Sequence, residues 1–245
     1  MERIKTGIKG LDSLLDGGIP KNNLVLLSGQ TGAGKTIFGL QYLVKGAVKY
    51  KEKGVFISFE QSREDVILQT KEFGWDVEEL EKKKMLKILI FKPTKIRLSS
   101  IMAQFEKTID EFKPNRLVFD SISTYGVYAE TISFFETIMD LGLKKENINF
   151  SMTPESVKRK MIMEIMSKIK SYGLTALVIS ELPEVTNYLS RDTISEFMAD
   201  GVILLKHVPI GESLNRSIEV RKMRYTDMGE GSRSYNITNK GIVIE

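Results

Sequence analysis

The sequence predicts an α/β fold in which helices flank a mostly parallel sheet. Short apolar runs alternate with segments whose apolar residues recur at helical spacing, and this alternation is typical of strand–helix–strand units. The runs are continuously apolar, as expected for strands that are buried on both faces. A glycine-rich stretch, residues 29–36, follows the first long run and precedes the first long helical pattern, which indicates a specialised loop between a strand and a helix.

Composition limits the kind of protein. The chain has 245 residues, which leaves room for one large domain or two small ones, and its 42% hydrophobic and 28% charged residues are ordinary for a globular protein with a sizeable core. It contains no cysteine and one histidine, which excludes disulfides, thiolate metal sites and histidine clusters. A net charge of +4 permits contact with nucleic acid but does not require it. Because the sequence has no run of about 18 apolar residues and no apolar signal core, we expect a cytoplasmic protein that spans no membrane.

The first half of the chain is predicted to alternate strands with helices. The predicted strands cover residues 24–28, 55–59, 86–91 and 117–119. A helix is predicted directly after the glycine-rich loop, because Ile37, Leu40, Val44, Ala47 and Val48 fall on one helical face. Two further helices are predicted over residues 63–73 and 99–112.

The second half begins with a strong helix signal and ends in strands. Thr153, Pro154 and Glu155 combine a capping hydroxyl, a proline at the first helical position and an early acid, and the helix is expected to reach about residue 172. Residues 174–179 form another continuous apolar run, which predicts a buried strand. Short strands are then predicted at 202–205, 217–224, 234–237 and 242–244, and we expect them to be antiparallel strands at the edge of the sheet.

Residues 125–152 are the part of the sequence whose pattern least defines a secondary structure. They contain Phe134, Phe135, Ile138, Met139 and Leu141, too many apolar residues for a simple disordered linker. Two interpretations stay open, namely a helical excursion that packs on the domain and a contact with another subunit or a partner.

The glycine-rich stretch has the pattern G-x-x-x-x-G-K-[ST] of a phosphate-binding loop. Its residues are Gly29, Gln30, Thr31, Gly32, Ala33, Gly34, Lys35 and Thr36. Glycines let the backbone wrap closely around phosphate, successive N–H groups point at the anion, and the next helix presents its positive end. Lys35 is expected to reach the outer phosphates and the Thr36 hydroxyl to bind Mg²⁺. The sequence therefore predicts a site for ATP and Mg²⁺.

Two carboxylates follow predicted strands and are candidates for the chemistry. Asp120 ends the strand 117–119 and could hold Mg²⁺ beside the phosphate loop, although an ordinary helix cap would have the same sequence. Glu60 closes the strand 55–59, where a carboxylate could orient and deprotonate an attacking water. On its own this second signal is weak, because surface glutamates are common.

Two basic residues, Lys222 and Arg224, alternate around Met223 and should project from the same face of a strand. Two cations on one face can pair with carboxylates or bind phosphate, and the residues themselves do not decide between these roles.

Several motifs in order resemble the KaiC-like branch of the RecA superfamily. They are Thr6-Gly7-Ile8-Lys9-Gly10-Leu11-Asp12, Gly17-Gly18-Ile19-Pro20, the phosphate loop, Phe59-Glu60-Gln61-Ser62, Phe119-Asp120-Ser121-Ile122, Asp200-Gly201-Val202-Ile203-Leu204, Lys222-Met223-Arg224 and Ile237-Thr238-Asn239-Lys240-Gly241. The resemblance covers about residues 6–244 and implies a single domain over residues 1–245 with a RecA-like P-loop NTPase fold, in which residues 125–152 are an insertion that is atypical of the family.

The resemblance also implies roles for individual residues. Members of this family form hexameric rings with ATP between neighbouring subunits, so a homo-oligomer with ATP or ADP at its interfaces is expected. Glu60 matches the family's catalytic glutamate, and Lys222 and Arg224 match the basic pair that reaches the neighbour's γ-phosphate. Ser180 matches a polar residue at the end of the strand after Asp120, near the phosphates.

Three departures from the family pattern bear on activity. Gln61 stands where the family usually has a second glutamate, which predicts slow hydrolysis. The segment 225–228 lacks the histidine that often lies near the nucleotide base. Glu196 and Phe197 occupy the positions of the autophosphorylated Ser-Thr pair, so the acceptor hydroxyls are missing there.

The leading hypothesis is a slow Mg²⁺-dependent ATPase that acts as a ring-forming nucleotide switch or regulator. The alternative from another class is a DNA-binding relative of the recombinases, with the loop 185–195 facing the axis of the ring or filament. Two further hypotheses for the same site are an autokinase and a nucleotide-gated scaffold without useful hydrolysis.

Overall fold

A computed structural model describes residues 1–92, 98–131, 153–184, 187–210, 213–229 and 231–245 of the protein. Two short strands near the amino terminus, β1 (Arg3–Ile4) and β2 (Ile19–Pro20), pair with each other. The strands that follow are β3 (Leu24–Gly29), β4 (Gly54–Ser58), β5 (Leu86–Ile90), β6 (Arg116–Asp120), β7 (Thr175–Glu181), β8 (Gly201–Ile210), β9 (Ser213–Met223), β10 (Ser232–Thr238) and β11 (Gly241–Ile244). Within the described residues they form one sheet of nine strands.

Helices cover both faces of this sheet. They are α1 (Leu11–Leu14), α2 (Lys35–Lys45), α3 (Arg63–Glu72), α4 (Val77–Lys82), α5 (Leu98–Phe112), α6 (Ile122–Thr131), α7 (Pro154–Ser171) and α8 (Ser195–Met198). Helix α2 continues into a π-helical turn, Gly46–Tyr50. In the part of the chain that the structure describes, no helix has the length and apolar character needed to cross a membrane.

Alternation along the central strand separates two hydrophobic cores. Val25 and Leu27 of β3 belong to the core that contains α2, α3 and α4, whereas Leu24 and Leu26 belong to the core that contains α5, α6 and α7. All four side chains are buried, because successive residues of a strand point to opposite faces and both faces are covered. This burial explains the continuous apolar runs.

The sheet order is β11-β10-β9-β8-β3-β7-β6-β4-β5. Strands β8, β3, β7, β6, β4 and β5 are parallel, so their carboxyl ends lie at the same edge of the sheet. Strands β9, β10 and β11 are antiparallel additions at one side. The predicted α/β fold with a mostly parallel sheet and antiparallel C-terminal strands is confirmed.

One detail of the predicted sheet is wrong. The strand that begins at Gly201 was expected to be antiparallel, but β8 pairs in parallel with β3. Apolar character identifies a buried strand but carries no information about its direction, so the sequence did not distinguish a parallel strand from an antiparallel one. Val48 was also assigned to the buried face of α2, yet it lies in the π-helical turn and is 54% exposed.

The predicted helix at Thr153 begins as expected. The Thr153 side chain accepts a hydrogen bond from the N–H of Ser156, and the Ser156 hydroxyl accepts one from the N–H of Thr153. Pro154 is the first helical residue. Residues 132–152 of the predicted insertion lie outside the described residues. Tyr125 lies in α6, where its ring packs against Phe59 and Phe119 with centroid distances of 5.6 and 5.8 Å.

Candidate functional site

The predicted phosphate loop connects the carboxyl end of β3 to α2. Gly32 and Gly34 have φ values of +78° and +86°, in the left-handed region that favours glycine. A Cβ at position 34 would also lie 2.9 Å from Cδ1 of Ile237. Gly34 is the N-cap of α2 and provides no side-chain hydrogen bond, which leaves the first N–H groups of the helix suited to an anion. The Tyr235 hydroxyl donates to the carbonyl of Ala33 and supports the loop from the C-terminal side of the sheet.

Lys35 is folded against the loop. Its Nζ donates to the carbonyls of Gly29 and Gln30 at 3.0 and 2.9 Å, and it lies 3.8 Å from Oε1 of Glu181. Burial lowers the pKa of Lys35, while the nearby carboxylates of Glu181, Asp120 and Glu60 act in the opposite direction. The ammonium therefore lies among acidic groups and loop carbonyls at the position from which it could reach a phosphate.

Thr36 and Asp120 meet directly. The Thr36 hydroxyl donates to Oδ2 of Asp120 at 2.7 Å, although β7 separates β6 from β3 in the sheet. The surroundings raise the pKa of Asp120 to about 7: burial is the largest cause, the Thr36 hydrogen bond and Lys35 oppose it, and the carboxylates of Glu60 and Glu181 add to it. A hydroxyl and a carboxylate in contact beside a phosphate loop are a donor set that fits Mg²⁺, which prefers oxygen ligands and shares them with phosphates.

Glu60 is held by two hydroxyls at the mouth of the site. Its Oε1 accepts hydrogen bonds from Oγ of Ser121 at 2.5 Å and from Oγ1 of Thr124 at 2.6 Å. The Ser58 hydroxyl accepts from the backbone N–H groups of Glu60 and Gln61, which fixes the turn after β4. The carboxylate is thus oriented while the residue remains exposed.

One cavity of about 270 Å³ brings most of these residues together. Its lining consists of Gly32, Gly34, Lys35, Thr36, Ile37, Glu60, Gln61, Gln69, Asp120, Ile179 and Glu181. The cavity lies at the carboxyl edge of the parallel strands, which is where ligands bind in open α/β sheets. Glu181 was not among the site residues predicted from the sequence, because its neighbour Ser180 was chosen as the polar residue near the phosphates.

Ser180 and Gln30 have other surroundings. Ser180 is fully buried, and its hydroxyl lies 3.4 Å from that of Ser123 and accepts from the N–H of Arg191. Ile179 and Glu181, on either side of it, line the cavity, so the side chain of Ser180 faces the other side of the sheet. The geometry gives no support to the prediction that Ser180 contacts the nucleotide. The Gln30 side chain is bound to β8, since its Oε1 accepts from the N–H of His207 at 2.6 Å.

Lys222 and Arg224 lie at the opposite end of the sheet from the phosphate loop. Val202, which pairs with Lys222, is the second residue of β8, the strand next to β3, and Arg224 donates its backbone N–H to the carbonyl of Asp200 just before β8. The phosphate loop, in contrast, follows the carboxyl end of β3. The structure therefore does not bring the basic pair to the phosphate loop of its own chain.

The fold and the site define a class of protein. A buried parallel strand, a glycine-rich loop with Lys-Thr at the start of a helix, and a carboxylate on a neighbouring strand are the features of P-loop nucleoside triphosphatases of the RecA-like class. The family model described as "ATPase: KaiC" matches residues 4–145 and 146–245. The chain therefore belongs to the KaiC ATPase family.

Individual relatives agree with this assignment. The circadian clock oscillator protein KaiC of Parathermosynechococcus lividus is 29% identical over 248 residues, covering 98% of this chain and 42% of the relative. That of Synechococcus elongatus is 28% identical over 250 residues, covering 99% of this chain and 44% of the relative. The chain thus spans less than half the length of these relatives. The fold also matches the crystal structure of a KaiC-like protein from the hyperthermophilic archaeon Pyrococcus horikoshii, with a TM-score of 0.82. The two sequences are 30% identical, and the match covers 100% of this chain and 99% of that chain.

Proposed function

We propose that this chain binds Mg-ATP and hydrolyses it slowly, as a nucleotide-dependent switch in a ring of identical subunits. The observation that carries the proposal is the 2.7 Å contact between Thr36 and Asp120 in the same cavity as Lys35 and Glu60. A hydroxyl, two carboxylates and an ammonium are thereby placed around the mouth of a phosphate loop. Membership of the KaiC ATPase family supports the same chemistry.

Each side chain has a role in this proposal. The loop N–H groups and Lys35 hold the triphosphate, and Thr36 and Asp120 hold Mg²⁺, which when bound neutralises charge on the phosphate oxygens. Glu60 orients a water and accepts its proton as the water oxygen bonds to the γ-phosphorus. The bond from that phosphorus to the β,γ-bridging oxygen breaks, giving ADP and phosphate. Gln61 in place of a second acid supports a slow reaction.

The position of the basic pair supports the proposed ring. Lys222 and Arg224 lie far from the phosphate loop of their own chain, so a role at a γ-phosphate requires a neighbouring subunit. A cation supplied in this way can raise the rate by about 10³–10⁵-fold. We propose that residues 1–245 act as one ATPase domain in a hexamer whose nucleotides lie between subunits.

Steady-state turnover with Mg-ATP tests the activity. Lys35→Ala and Glu60→Gln should each reduce turnover by about 100-fold or more, because one removes the phosphate-binding ammonium and the other the base. Lys21→Ala and Glu2→Gln, which remove an exposed ion pair elsewhere on the chain, should leave turnover unchanged. Turnover that persists in both site variants would refute the proposal.

Mixed oligomers test whether the site is shared. A Glu60→Gln subunit has an inactive site of its own but an intact basic pair, and a Lys222→Ala subunit has the reverse defect. Co-assembly of these two inactive variants should restore part of the turnover if the nucleotide lies between subunits. No regained turnover in co-assembled material would show that the basic pair does not act in trans.

A further inference from the structure

Asp200, the residue before β8, holds two cations with one carboxylate oxygen. Its Oδ1 accepts hydrogen bonds from Nζ of Lys170 at 2.8 Å and from Nη1 of Arg224 at 2.9 Å. Its Oδ2 accepts from the backbone N–H of Leu24, the first residue of β3, at 3.1 Å. Both oxygens of the carboxylate are therefore engaged, Oδ1 by the two cations and Oδ2 by the backbone of β3.

The backbone of Asp200 is fixed as well. Its N–H donates to the carbonyl of Leu24 at 2.8 Å, and its carbonyl accepts from the N–H of Arg224 at 2.9 Å. The Asp200 side chain is 12% exposed, whereas that of Arg224 is 51% exposed. Because a guanidinium has five N–H donors and the Asp200 contact uses Nη1, other donors of this half-exposed side chain can still bind an anion while Asp200 anchors it.

The cations around Asp200 outnumber the carboxylates by one. Lys222 donates from Nζ to the carbonyls of Glu196 and Ala199 at 3.1 and 2.6 Å, so its charge is not paired in that contact. Lys170, Lys222 and Arg224 lie in the field of two carboxylates, Asp200 and Glu196, which together offset two of the three positive charges. Such a surplus of fixed positive charge suits a partner that brings a phosphate.

We propose that Asp200 is a positioning residue that holds Arg224 ready for the γ-phosphate bound by the neighbouring subunit. The proposal rests on the shared site proposed above and adds a residue that touches neither nucleotide nor water. Fixing a long side chain before the reaction removes conformational freedom that would otherwise be lost in the transition state, and a misplacement of about 1 Å can reduce a rate by about 100-fold.

The test places one substitution, Asp200→Asn, on either subunit of the mixed oligomer. Asparagine keeps an oxygen that can accept from the N–H of Leu24 but loses the charge that holds Arg224. On the Glu60→Gln subunit, which supplies the cations, Asp200→Asn should reduce the regained turnover at least tenfold. On the Lys222→Ala subunit, which supplies the active phosphate loop, the same substitution should change the regained turnover less than twofold.

Two matched variants complete the experiment. Arg224→Ala on the Glu60→Gln subunit sets the turnover expected when the cation is absent. Glu219→Gln on that subunit is the control: it removes the β9 carboxylate that accepts from Nη1 of Arg221 at 2.7 Å, and the regained turnover should not change. Mass measurement with ATP verifies that every mixture assembles.

The outcomes separate the two proposals. Regained turnover that Asp200→Asn affects only on the Glu60→Gln subunit supports the positioning role. Equal effects in both placements identify Asp200 as a structural residue and overturn that role, while leaving the shared site intact. Absence of regained turnover in the parent mixture rejects the shared site and the role of Asp200 together.

Discussion

At the scale of residues, hydroxyl groups organise the candidate site. Thr36 donates to Asp120, and Ser121 and Thr124 donate to Glu60, so each carboxylate is oriented by side chains that carry no charge of their own. Charge-assisted hydrogen bonds of this kind are stronger than neutral ones and fix geometry.

Asp120→Asn should uncouple nucleotide binding from Mg²⁺. The substitution preserves size but removes the charge that attracts the cation, so affinity for Mg-ATP should fall at least about tenfold while affinity for ATP without Mg²⁺ changes little. Calorimetric titrations with and without Mg²⁺ measure both constants. Asp16→Asn, at a side chain that is 59% exposed, is the control, and a loss of affinity independent of Mg²⁺ would contradict the assignment.

Thr124→Ala should lower kcat several-fold and leave KM nearly unchanged. The hydroxyl orients the candidate base and lies outside the cavity lining, so its loss affects the transition state more than binding. In a Glu60→Gln background the same substitution should have little further effect, because the two residues would act as a unit. Additive losses in that double variant would show that Thr124 acts independently of Glu60.

The residues of the phosphate loop could be predicted because their spacing is itself the signal. Asp120 and Glu60 were predicted from their positions at strand ends. Glu181 was missed because Ser180 was selected for its match to a polar position of the family. A shift of one residue along a strand moves a side chain to the other face of the sheet, and the structure shows that Glu181, not Ser180, lines the cavity. Ser121 and Thr124 follow no spacing rule that would identify them as partners of Glu60.

At the scale of elements, the end of helix α2 is packed around a buried arginine. Arg116 of β6 is fully buried, pairs with Glu52, and donates to the carbonyls of Tyr42 and Lys5 at 2.9 and 2.8 Å. A Cβ at Gly46, where the π-helical turn begins, would lie 2.5 Å from Arg116 Nε, so glycine is what allows this approach. Arg116 thereby joins β6, the amino-terminal segment and the helix that starts at the phosphate loop.

Arg116→Lys should reduce the free energy of unfolding by about 2–4 kcal/mol, because an ammonium cannot satisfy the same carbonyls and carboxylate in the fork geometry of a guanidinium. Denaturant unfolding followed by circular dichroism measures the change. The matched control is Arg63→Lys, at an exposed pair with Glu81, which should change stability by about 0.5 kcal/mol or less. Similar losses at both sites would show that burial does not set the contribution of Arg116.

Element types were easier to predict than strand directions or short helices. Continuous apolar runs and capped amphipathic segments identified β3, β4, β6, β7 and α7. Helix α4 has six residues, too few for a clear period, and α6 is packed between α7 and the sheet, so its sequence has no polar stripe along which to recognise it. The parallel direction of β8 depends on its pairing with β3, a contact between residues distant in the sequence.

At the scale of the whole molecule, the two ends of the parallel strands differ in the balance of their charges. At the carboxyl edge Glu60, Asp120 and Glu181 surround one ammonium, Lys35, and at the amino edge Lys170, Lys222 and Arg224 surround Asp200. Edges with opposite balances of charge suit a head-to-tail arrangement of identical chains, which closes into a ring when the rotation permits. The DNA-binding alternative stays a prediction, which salt-dependent binding of a single strand would support.

Turnover per chain should fall on dilution below the concentration at which subunits dissociate. In the proposed ring a separate subunit lacks the cations at its γ-phosphate, so the loss should follow the fraction of dissociated chains. Turnover and mass are measured over the same concentration series. A constant turnover per chain across complete dissociation would contradict a shared site.

The C-terminal strands have a consequence for the time course of synthesis. The phosphate loop is translated well before its supports, since Tyr235 supports Ala33, Ile237 packs on Gly34, and Gln41 of α2 exchanges hydrogen bonds with the backbone of Ile242 at 3.0 and 2.6 Å. A growing chain on the ribosome thus carries its phosphate-binding residues for some 200 residues before their supports emerge. Competence to hold nucleotide should therefore arise only when the hairpin of β10 and β11 closes on a loop that was made some 200 residues earlier.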